Sequence, residues 1–321
     1  MLTAPLPAAL EQALRALSGS GAGDAAAAAD LSRRYRDAER GSGPVARSRE
    51  DVSAYVATRL PATYAAVRIA LGELHARAAF EPASQLDLGA GPGTAIWAAG
   101  ELWPSLRSAT AVEPQAAMAR LGRELAAHSA SLPEVDWVGG ALPQAVPAGR
   151  FDLVTLGYVL GELDGDAQAA TIDRAWAVAG HALVVVEPGT PAGYRRVLAA
   201  RDRLLAAGGT VIAPCPHDHA CPLVGTEDWC HFAVRVARTS THRLAKEAQL
   251  GHEDEKFAYV VVARAPAPQA TARILRHPRL RRGHVVLELC APEGLRTETV
   301  SKSDGERYRR TRKLSWGDDL G

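Results

Sequence analysis

The chain has 321 residues, of which 47% are hydrophobic and 23% charged, and it carries a formal net charge of +1. That length and balance are enough to bury one large core or two modest ones, which excludes a natively disordered chain. No apolar run approaches the roughly 20 residues that a membrane helix needs, and the start from Met1 to Leu17 has neither the basic opening nor the long apolar stretch of a secretory signal. A cytoplasmic protein with no membrane partner is expected.

The first eighty residues are rich in alanine, with apolar positions at helical spacing, broken by Ser18 to Gly23 and by Gly41-Ser-Gly-Pro44. They predict a helical segment over 1–80. Tyr55, Leu60, Tyr64, Val67 and Leu71 fall near one helical face, with Pro61 acceptable where a helix starts, and that face should pack against the next domain. From Gln85 the pattern changes to short β-rich runs alternating with helices. Strands are predicted at Gln85–Leu88, Ala109–Glu113, Val135–Val138, Phe151–Leu156 and Ala182–Glu187, then a helix from Tyr194 to Ala207, then strands at Trp229–Val236 and Phe257–Ala263. Alternation of this kind implies right-handed crossovers and a parallel sheet covered on both faces, so the fold class is α/β and Rossmann-like over 81–265. Within it, 211–256 turns rich in Cys, His, Pro and acids and is expected to be an insertion. There is no internal repeat.

Asp87-Leu-Gly89-Ala-Gly91-Pro-Gly93-Thr94 follows a predicted strand and opens a predicted helix, the context in which a glycine loop is informative. Glycines let the backbone turn sharply and approach a ligand, and the helix start offers unpaired N–H groups. Glu113, at the end of the next strand, can accept hydrogen bonds from both ribose hydroxyls of an adenosine. A dinucleotide fingerprint would put its third glycine at Thr94, and Pro92 removes an N–H that a pyrophosphate wants. The loop therefore predicts S-adenosylmethionine, with Trp137 to Ala141 lining the adenine and Gly157-Tyr158 facing the transferred methyl. Tyr158 as a plain core aromatic stays open.

Of the four cysteines, Cys215, Cys221 and Cys230 lie within sixteen residues and Cys290 ends a predicted strand near the C-terminus. A buried thiol is the ordinary reading of a single Cys, and disulfides are rare in the cytoplasm. Four thiolates together complete either a tetrahedral zinc site or the ligand set of a four-iron, four-sulfur cluster. Zinc ribbons favour tight Cys-x-x-Cys pairs, whereas here the gaps are five residues, eight residues and a distant partner. The longer gaps and the Cys215-Pro216 and Cys221-Pro222 pairs favour an iron–sulfur cluster, with zinc the alternative. His217, His219 and His231 stand close by in sequence but find no vacancy beside four thiolates. A site using Cys290 would pin the C-terminal module to the sheet domain, making metal binding part of folding.

That module, 266–321, contains twelve Lys or Arg between Thr271 and Lys313 (Arg273, Arg276, Arg279, Arg281, Arg282, Arg296, Lys302, Arg307, Arg309, Arg310, Arg312, Lys313) against five acids, about +7, leaving about −6 elsewhere. Alternation in Gly283-His-Val-Val-Leu-Glu-Leu-Cys290 marks a half-buried strand, so the basic stretch is a small β-rich module rather than a solvated tail. Basic residues clustered on a folded element point to nucleic acid.

Several unusual strings then carry a resemblance that runs from about Arg59 to the end: Arg59-Leu-Pro-Ala-Thr-Tyr64-Ala-Ala-Val, Asp87 to Thr94, Glu187-Pro-Gly-Thr-Pro191, Ala213-Pro-Cys-Pro-His217, Asp228-Trp-Cys-His-Phe232, Glu253-Asp-Glu-Lys-Phe257 and Lys313-Leu-Ser-Trp-Gly-Asp318. In these the chain resembles the methyltransferase-like protein of the mitochondrial ribosomal small subunit and its bacterial relatives. The resemblance implies a role in small-subunit assembly, small-subunit ribosomal RNA or the pre-ribosomal subunit as partner with no DNA, and an iron–sulfur cluster on Cys215, Cys221, Cys230 and Cys290.

Two functions remain: an RNA methyltransferase with a structural cluster, or a ribosome-binding assembly factor that keeps the cofactor pocket without turnover. Methyl transfer needs positioning and a dry site more than acid–base groups, because the sulfonium is already reactive. No Asn/Asp-Pro-Pro-aromatic motif follows the fourth strand, where Leu156-Gly-Tyr158 stands, so methylation of an exocyclic amino group is not expected and no catalytic residue is assigned. Carbon-5 methylation would need a nucleophilic Cys, and Cys215 is better used as a ligand. A radical enzyme would leave one iron open through a three-Cys motif, which four thiolates close. Glu187-Pro188 either serves the site or ends its strand. His217, Asp218, His231, Glu253, Asp254 and Glu255 are candidates for groups behind the ligands, RNA contacts or an acidic surface.

Overall fold

The computed structural model describes residues 2–17, 55–56, 58–237 and 252–320. The two Gly/Ser breaks at 18–23 and 41–44 lie outside the described residues. The expected helical segment holds a correction at its start, because Leu2–Thr3 forms a short strand, β1, before helix α1 (Ala8–Leu17). Helix α2 (Leu60–Arg77) begins with its proline in the first turn, where a missing N–H costs nothing. Tyr55, Leu60, Tyr64, Val67 and Leu71 are all buried, as a packing face requires.

The sheet domain continues as β2 (Ser84–Leu88), α3 (Thr94–Leu102), β3 (Ser108–Val112), α4 (Ala116–Ala126), β4 (Glu134–Val138), β5 (Phe151–Gly157), α5 (Gly165–Val178), β6 (Ala179–Pro188), α6 (Pro191–Ala206), β7 (Thr210–Ala213), β8 (Phe232–Ala237) and β9 (His252–Ala263). The strand order is β1-β8-β9-β6-β5-β2-β3-β4, with β7 also paired to β9. β4, β3, β2, β5 and β6 run parallel, and β9 joins β6 antiparallel. This is a Rossmann-like α/β sheet of the methyltransferase type. Its middle strands are continuous apolar runs because both faces are covered. Along β6 the side chains alternate strictly: Ala182, Val184 and Val186 join the core under α2, α3 and α4, while Leu183 and Val185 join the one under α5 and α6.

Two expected strands need correction. Trp229 and His231 precede β8, and the Trp229 indole N–H donates to the Gly189 carbonyl at 2.9 Å rather than entering a ladder. β9 starts five residues earlier than Phe257, because Glu253, Asp254 and Glu255 pair with Val236, Arg235 and Val234 of β8. Glu253, Asp254 and Glu255, candidates for groups behind the ligands, RNA contacts or an acidic surface, thus lie on the antiparallel strand pair β8–β9, with Asp254 exposed.

The C-terminal residues make a second sheet from β10 (Ala272–Ile274), β11 (Arg279–Arg281), β12 (His284–Ala291), β13 (Gly294–Ser301) and β14 (Asp319–Leu320), with helix α7 (Glu306–Thr311) before the last strand. The expected alternation is present in β12, where Val285, Leu287 and Leu289 point into a small core of their own. Arg273 of β10, counted in the basic cluster, is not on the surface of the module. It is 1% exposed, donating Nε to the Pro214 carbonyl at 3.0 Å, Nη1 to the Gly317 carbonyl at 2.6 Å and Nη2 to Glu73 of α2 at 2.8 Å. Arg77, one turn along α2, binds Glu73 and Asp319 of β14. Arg276 is spent on Asp228 and the Trp229 carbonyl.

Candidate cofactor loop and cysteine cavity

β2 is flanked by β3 on one side and β5 on the other, and chain connections leave in opposite directions from this pair, so a crevice opens beyond its C-terminal end. The glycine loop lies there. Gly89, Gly91 and Gly93 have φ of 68°, 53° and 81°, the left-handed region that other residues enter only with strain. Gly89 has a second reason to lack a side chain, because a Cβ would come within 2.3 Å of Val159 Cγ2. Glu113 is buried and turned toward the loop, its Oε2 accepting the Gly91 N–H and its Oε1 the Gln115 N–H, each at 2.8 Å. Burial raises its carboxyl and these two hydrogen bonds oppose the rise. Asp87, also buried, accepts the Thr155 hydroxyl at 2.7 Å on Oδ1 and has no partner on Oδ2. Burial pushes its carboxyl up to about 7. A tight backbone with carboxylates behind it fits an adenosine and a methionine tail, and an orphaned buried Asp87 oxygen is the kind of group a ligand amine satisfies.

Gly157 and Tyr158 end β5 beside the same crevice. Tyr158 has φ 59°, the one non-glycine residue in that region among those described, held by its N–H to the Val186 carbonyl at 2.7 Å. Its hydroxyl donates to Glu255 Oε1 at 3.0 Å, and the Arg59 guanidinium reaches the same carboxylate at 4.0 Å. Burial and that carboxylate keep the phenol well above its usual range, so Tyr158 is a hydrogen-bonded aromatic and not a base. Trp137, expected against adenine, fills the groove between the loop and α4: a Cβ on Gly122 would stand 2.1 Å from its ring and one on Gly93 3.5 Å away. Glu187 is wholly buried and links two elements, taking the Leu160 N–H at 3.0 Å and Arg196 Nε of α6 at 2.6 Å.

Cys215, Cys221, Cys230 and Cys290 line one cavity of about 40 Å³. The first three come from the stretch between β7 and β8, and the fourth is the seventh residue of β12. Burial raises the thiols of Cys215, Cys230 and Cys290, the last up to about 12, and the neighbouring sulfurs raise each of them further. Thiols raised in this way are stable as thiolates only around positive charge. Among the described residues no three His, Cys, Asp or Glu side chains stand close enough to share one metal ion.

The surroundings of the cavity were not legible as site residues. Tyr194, Val197, Leu198 and Arg201 of α6 form one helical face of its wall. The Tyr194 hydroxyl is 3.3 Å from Cys221 Sγ, and Arg201 donates to the carbonyls of His217 at 3.1 Å and His219 at 2.7 Å. A tyrosine and an arginine seven residues apart in a predicted helix were the available signal. His217 is buried with Nε2 3.6 Å from Cys290 Sγ. His231 stacks on Trp229 with centroids 4.9 Å apart and meets Trp316 edge-on at 4.9 Å, so it packs behind the cavity. Asp218 takes the Val211 N–H at 2.9 Å and Asp254 pairs with Arg235 at 2.8 Å, both structural.

Against known proteins, the chain is 33% identical over 290 residues to the human "Ribosome assembly protein METTL17, mitochondrial", an alignment covering 83% of this chain and 61% of the relative. It is 25% identical over 320 residues to the Schizosaccharomyces pombe "Rsm22-cox11 tandem protein 2, mitochondrial", covering 83% of this chain and 42% of that one. The chain thus spans about two fifths to three fifths of these relatives' lengths. Among solved structures it resembles the precorrin-6y C5,15-methyltransferase of Geobacter metallireducens GS-15, with TM-score 0.41, 18% identity and coverage of 61% of this chain and 87% of the other. It also resembles the magnesium protoporphyrin IX methyltransferase of Synechocystis PCC 6803 with bound SAH, with TM-score 0.42, 11% identity and coverage of 73% and 94%. The expected cytoplasmic placement is corrected here, since both relatives are named as mitochondrial proteins. Residues 49–321 match the family model described as "Mitochondrial small ribosomal subunit Rsm22", and the chain belongs to that family.

Proposed function

We propose that this chain is an S-adenosylmethionine-binding assembly protein of the small ribosomal subunit that holds a four-iron, four-sulfur cluster on Cys215, Cys221, Cys230 and Cys290. Asp87, Gly89, Gly91, Gly93, Glu113, Gly157 and Tyr158 form the cofactor pocket, and methyl transfer to small-subunit ribosomal RNA is the reaction that pocket suits. The proposed organisation is a helical segment over 1–80, a methyltransferase-like domain over 81–265 carrying the cysteine insertion, and a basic module over 266–321. The observation that carries the proposal is the meeting of four thiols from two distant stretches of chain in one cavity. The long gaps between the cysteines and the Cys215-Pro216 and Cys221-Pro222 pairs favour a cluster over zinc. The ribosomal partner rests on the family and on the relative named as a ribosome assembly protein.

A cluster on these thiols would supply a rigid, charge-neutralising crosslink between the 215–230 stretch and β12. The chain's own residues do the rest: Glu113 and the glycine loop orient an adenosine, Asp87 offers an oxygen to the ligand amine, and Tyr158 walls the crevice. The non-catalytic reading is favoured by one observation, that the Tyr158 hydroxyl already donates its proton to Glu255 and has none to offer a target base.

The test is anaerobic purification, visible absorption with iron and zinc analysis, then incubation with small-subunit ribosomal RNA and labelled S-adenosylmethionine. Brown protein that labels RNA is the expected result. Brown protein that binds RNA without labelling it selects the assembly reading, and colourless protein with one zinc overturns the metal assignment. Cys290→Ser should lose iron, stability and RNA affinity together, and normal RNA binding by a metal-free, folded variant refutes the coupling.

A further inference from the structure

Helix α6 walls the cysteine cavity and is linked to the glycine loop through intervening side chains. Its face of Tyr194, Val197, Leu198 and Arg201 walls the cysteine cavity, with the Tyr194 hydroxyl 3.3 Å from Cys221 Sγ. Arg201 holds the backbone carbonyls of His217 and His219 between the first two cysteines. Two residues after Tyr194, Arg196 points elsewhere, its Nε 2.6 Å from the buried Glu187. The other oxygen of Glu187 fixes the Leu160 N–H at 3.0 Å, and the Arg196 guanidinium lies against Gly161 so closely that a Cβ there would be 3.0 Å away. The residue before Leu160 is Val159, whose methyls fill the space where a Gly89 side chain would be. From Cys221 to the glycine loop there is thus an unbroken line: thiol, Tyr194, about half a helical turn, Arg196, Glu187, Leu160-Val159 and Gly89.

The line is stiff at each step. A short helical stretch is rigid, Glu187 is wholly buried, and Val159 has no room to move toward Gly89 without a clash. A shift of α6 that accommodates a filled or empty cysteine cavity must therefore move the Val159 wall of the adenosine loop.

We infer that filling of the cysteine cavity and binding at the glycine loop are coupled through α6, so that the protein binds its adenosine cofactor tightly only when the four thiols are occupied. The inference rests on the proposed cluster and cofactor but goes beyond them. It makes cofactor binding a reporter of the metal site, with Glu187 and Arg196 as positioning residues that touch neither ligand. Linkage requires the effect to be mutual.

The experiment uses the full chain, purified anaerobically, with S-adenosylhomocysteine as probe. Calorimetry should give an affinity at least about five-fold weaker after the iron is removed by chelation, the low end of ordinary allosteric coupling. Because the emptied protein can lose structure, a second measurement keeps it folded at the start: S-adenosylhomocysteine should slow chelator-driven loss of visible absorption several-fold. The paired substitution Glu187→Gln with Arg196→Met removes the ion pair while leaving an acceptor for Leu160. It should bring the bleaching rates with and without S-adenosylhomocysteine together, with iron content as purified unchanged. Equal bleaching rates in the unsubstituted protein, or a ligand effect that survives the paired substitution, overturn the coupling. Protein without iron, or without affinity for S-adenosylhomocysteine, overturns the proposed function and the coupling with it.

Discussion

The glycine loop and the cysteine cavity are assembled in opposite ways. The loop takes its residues from two neighbouring parallel strands, 22 positions from Gly91 to Glu113, and its shape is set by three left-handed glycines and backbone hydrogen bonds. The cavity draws its fourth thiol from a different sheet, 60 residues beyond Cys230, and nothing local brings Cys290 there. What does is Arg273, the direct register partner of Cys290 across β10 and β12, bound at once to α2, to the residue before Cys215 and to the C-terminal turn. A locally encoded site should fail by local strain, and one gathered from afar should fail when its docking contacts fail.

Arg273→Met is the strongest way to break that contrast. It strands the half-buried Glu73 carboxylate and frees two buried carbonyls, a class of change that costs about 3–5 kcal/mol. Denaturant unfolding should show a loss near the low end, since Glu73 keeps Arg77, and iron content should fall with it while Gly89 and Glu113 are untouched. A loss under about 1 kcal/mol with full iron would mean that Cys290 is placed by the second sheet's own rigidity.

Gly89→Ala is the reciprocal change. It adds the strain of φ 68° to a contact at 2.3 Å with Val159, together about 1–3 kcal/mol. Binding of S-adenosylhomocysteine should weaken at least about ten-fold, with global unfolding affected less than by Arg273→Met. Gly93→Ala sharpens the comparison: φ is 81° but the nearest atom, on Trp137, is 3.5 Å away, so only the torsional cost of about 1–2 kcal/mol applies. Equal losses at the two positions would show that the close approach of Val159 carries no weight.

The same contrast explains what the sequence made legible. Strands β2 to β6 and the glycine loop follow from local pattern, since an apolar run, a turn and a helix start within a few residues leave little choice. β7 was not foreseen, because Thr210–Ala213 is four residues long and runs straight into the Pro- and Cys-rich stretch. Trp229 looks like a strand residue by composition and is instead bonded to Gly189, a tertiary contact that overrides β propensity. Arg273 was indistinguishable from its neighbours in the basic cluster. Charge counts carry no burial information, and only its partner Glu73, 200 residues away, reveals it. The clustering of cysteines was visible, but the helix wall of Tyr194 and Arg201 was not.

Asp87 gives a pH-dependent version of the local site. Its carboxyl, raised by burial from 3.8 to about 7, binds its proton more tightly in the folded chain than in the unfolded one. Its contribution to stability is therefore fully present below about 4 and is lost as pH rises through 7. Asp87→Asn should flatten the unfolding free energy between pH 4 and 7 by up to one proton's slope, read by denaturant titration at several pH values. An unchanged slope would place the titration elsewhere.

The mildest effect concerns the C-terminal sheet as the proposed RNA surface, where structure cuts the charge that sequence counts. Arg273 is buried, and Arg276, Arg279, Arg296, Arg307 and Arg309 are all paired with carboxylates. Arg281, Arg282, Lys302, Arg310, Arg312 and Lys313 are exposed and, among the described residues, make no ion pair. Each phosphate neutralised on a single strand adds about 0.7 to the slope of log affinity against log salt. Twelve cations would give a slope near −8, whereas six give about −4. Filter binding of small-subunit ribosomal RNA across a salt series should return the shallower value, and Arg281→Gln with Arg282→Gln should reduce it by about 1 to 1.5. A slope near −8 would mean that the surface ion pairs open to RNA, and one near zero that the partner does not meet this sheet through its phosphates.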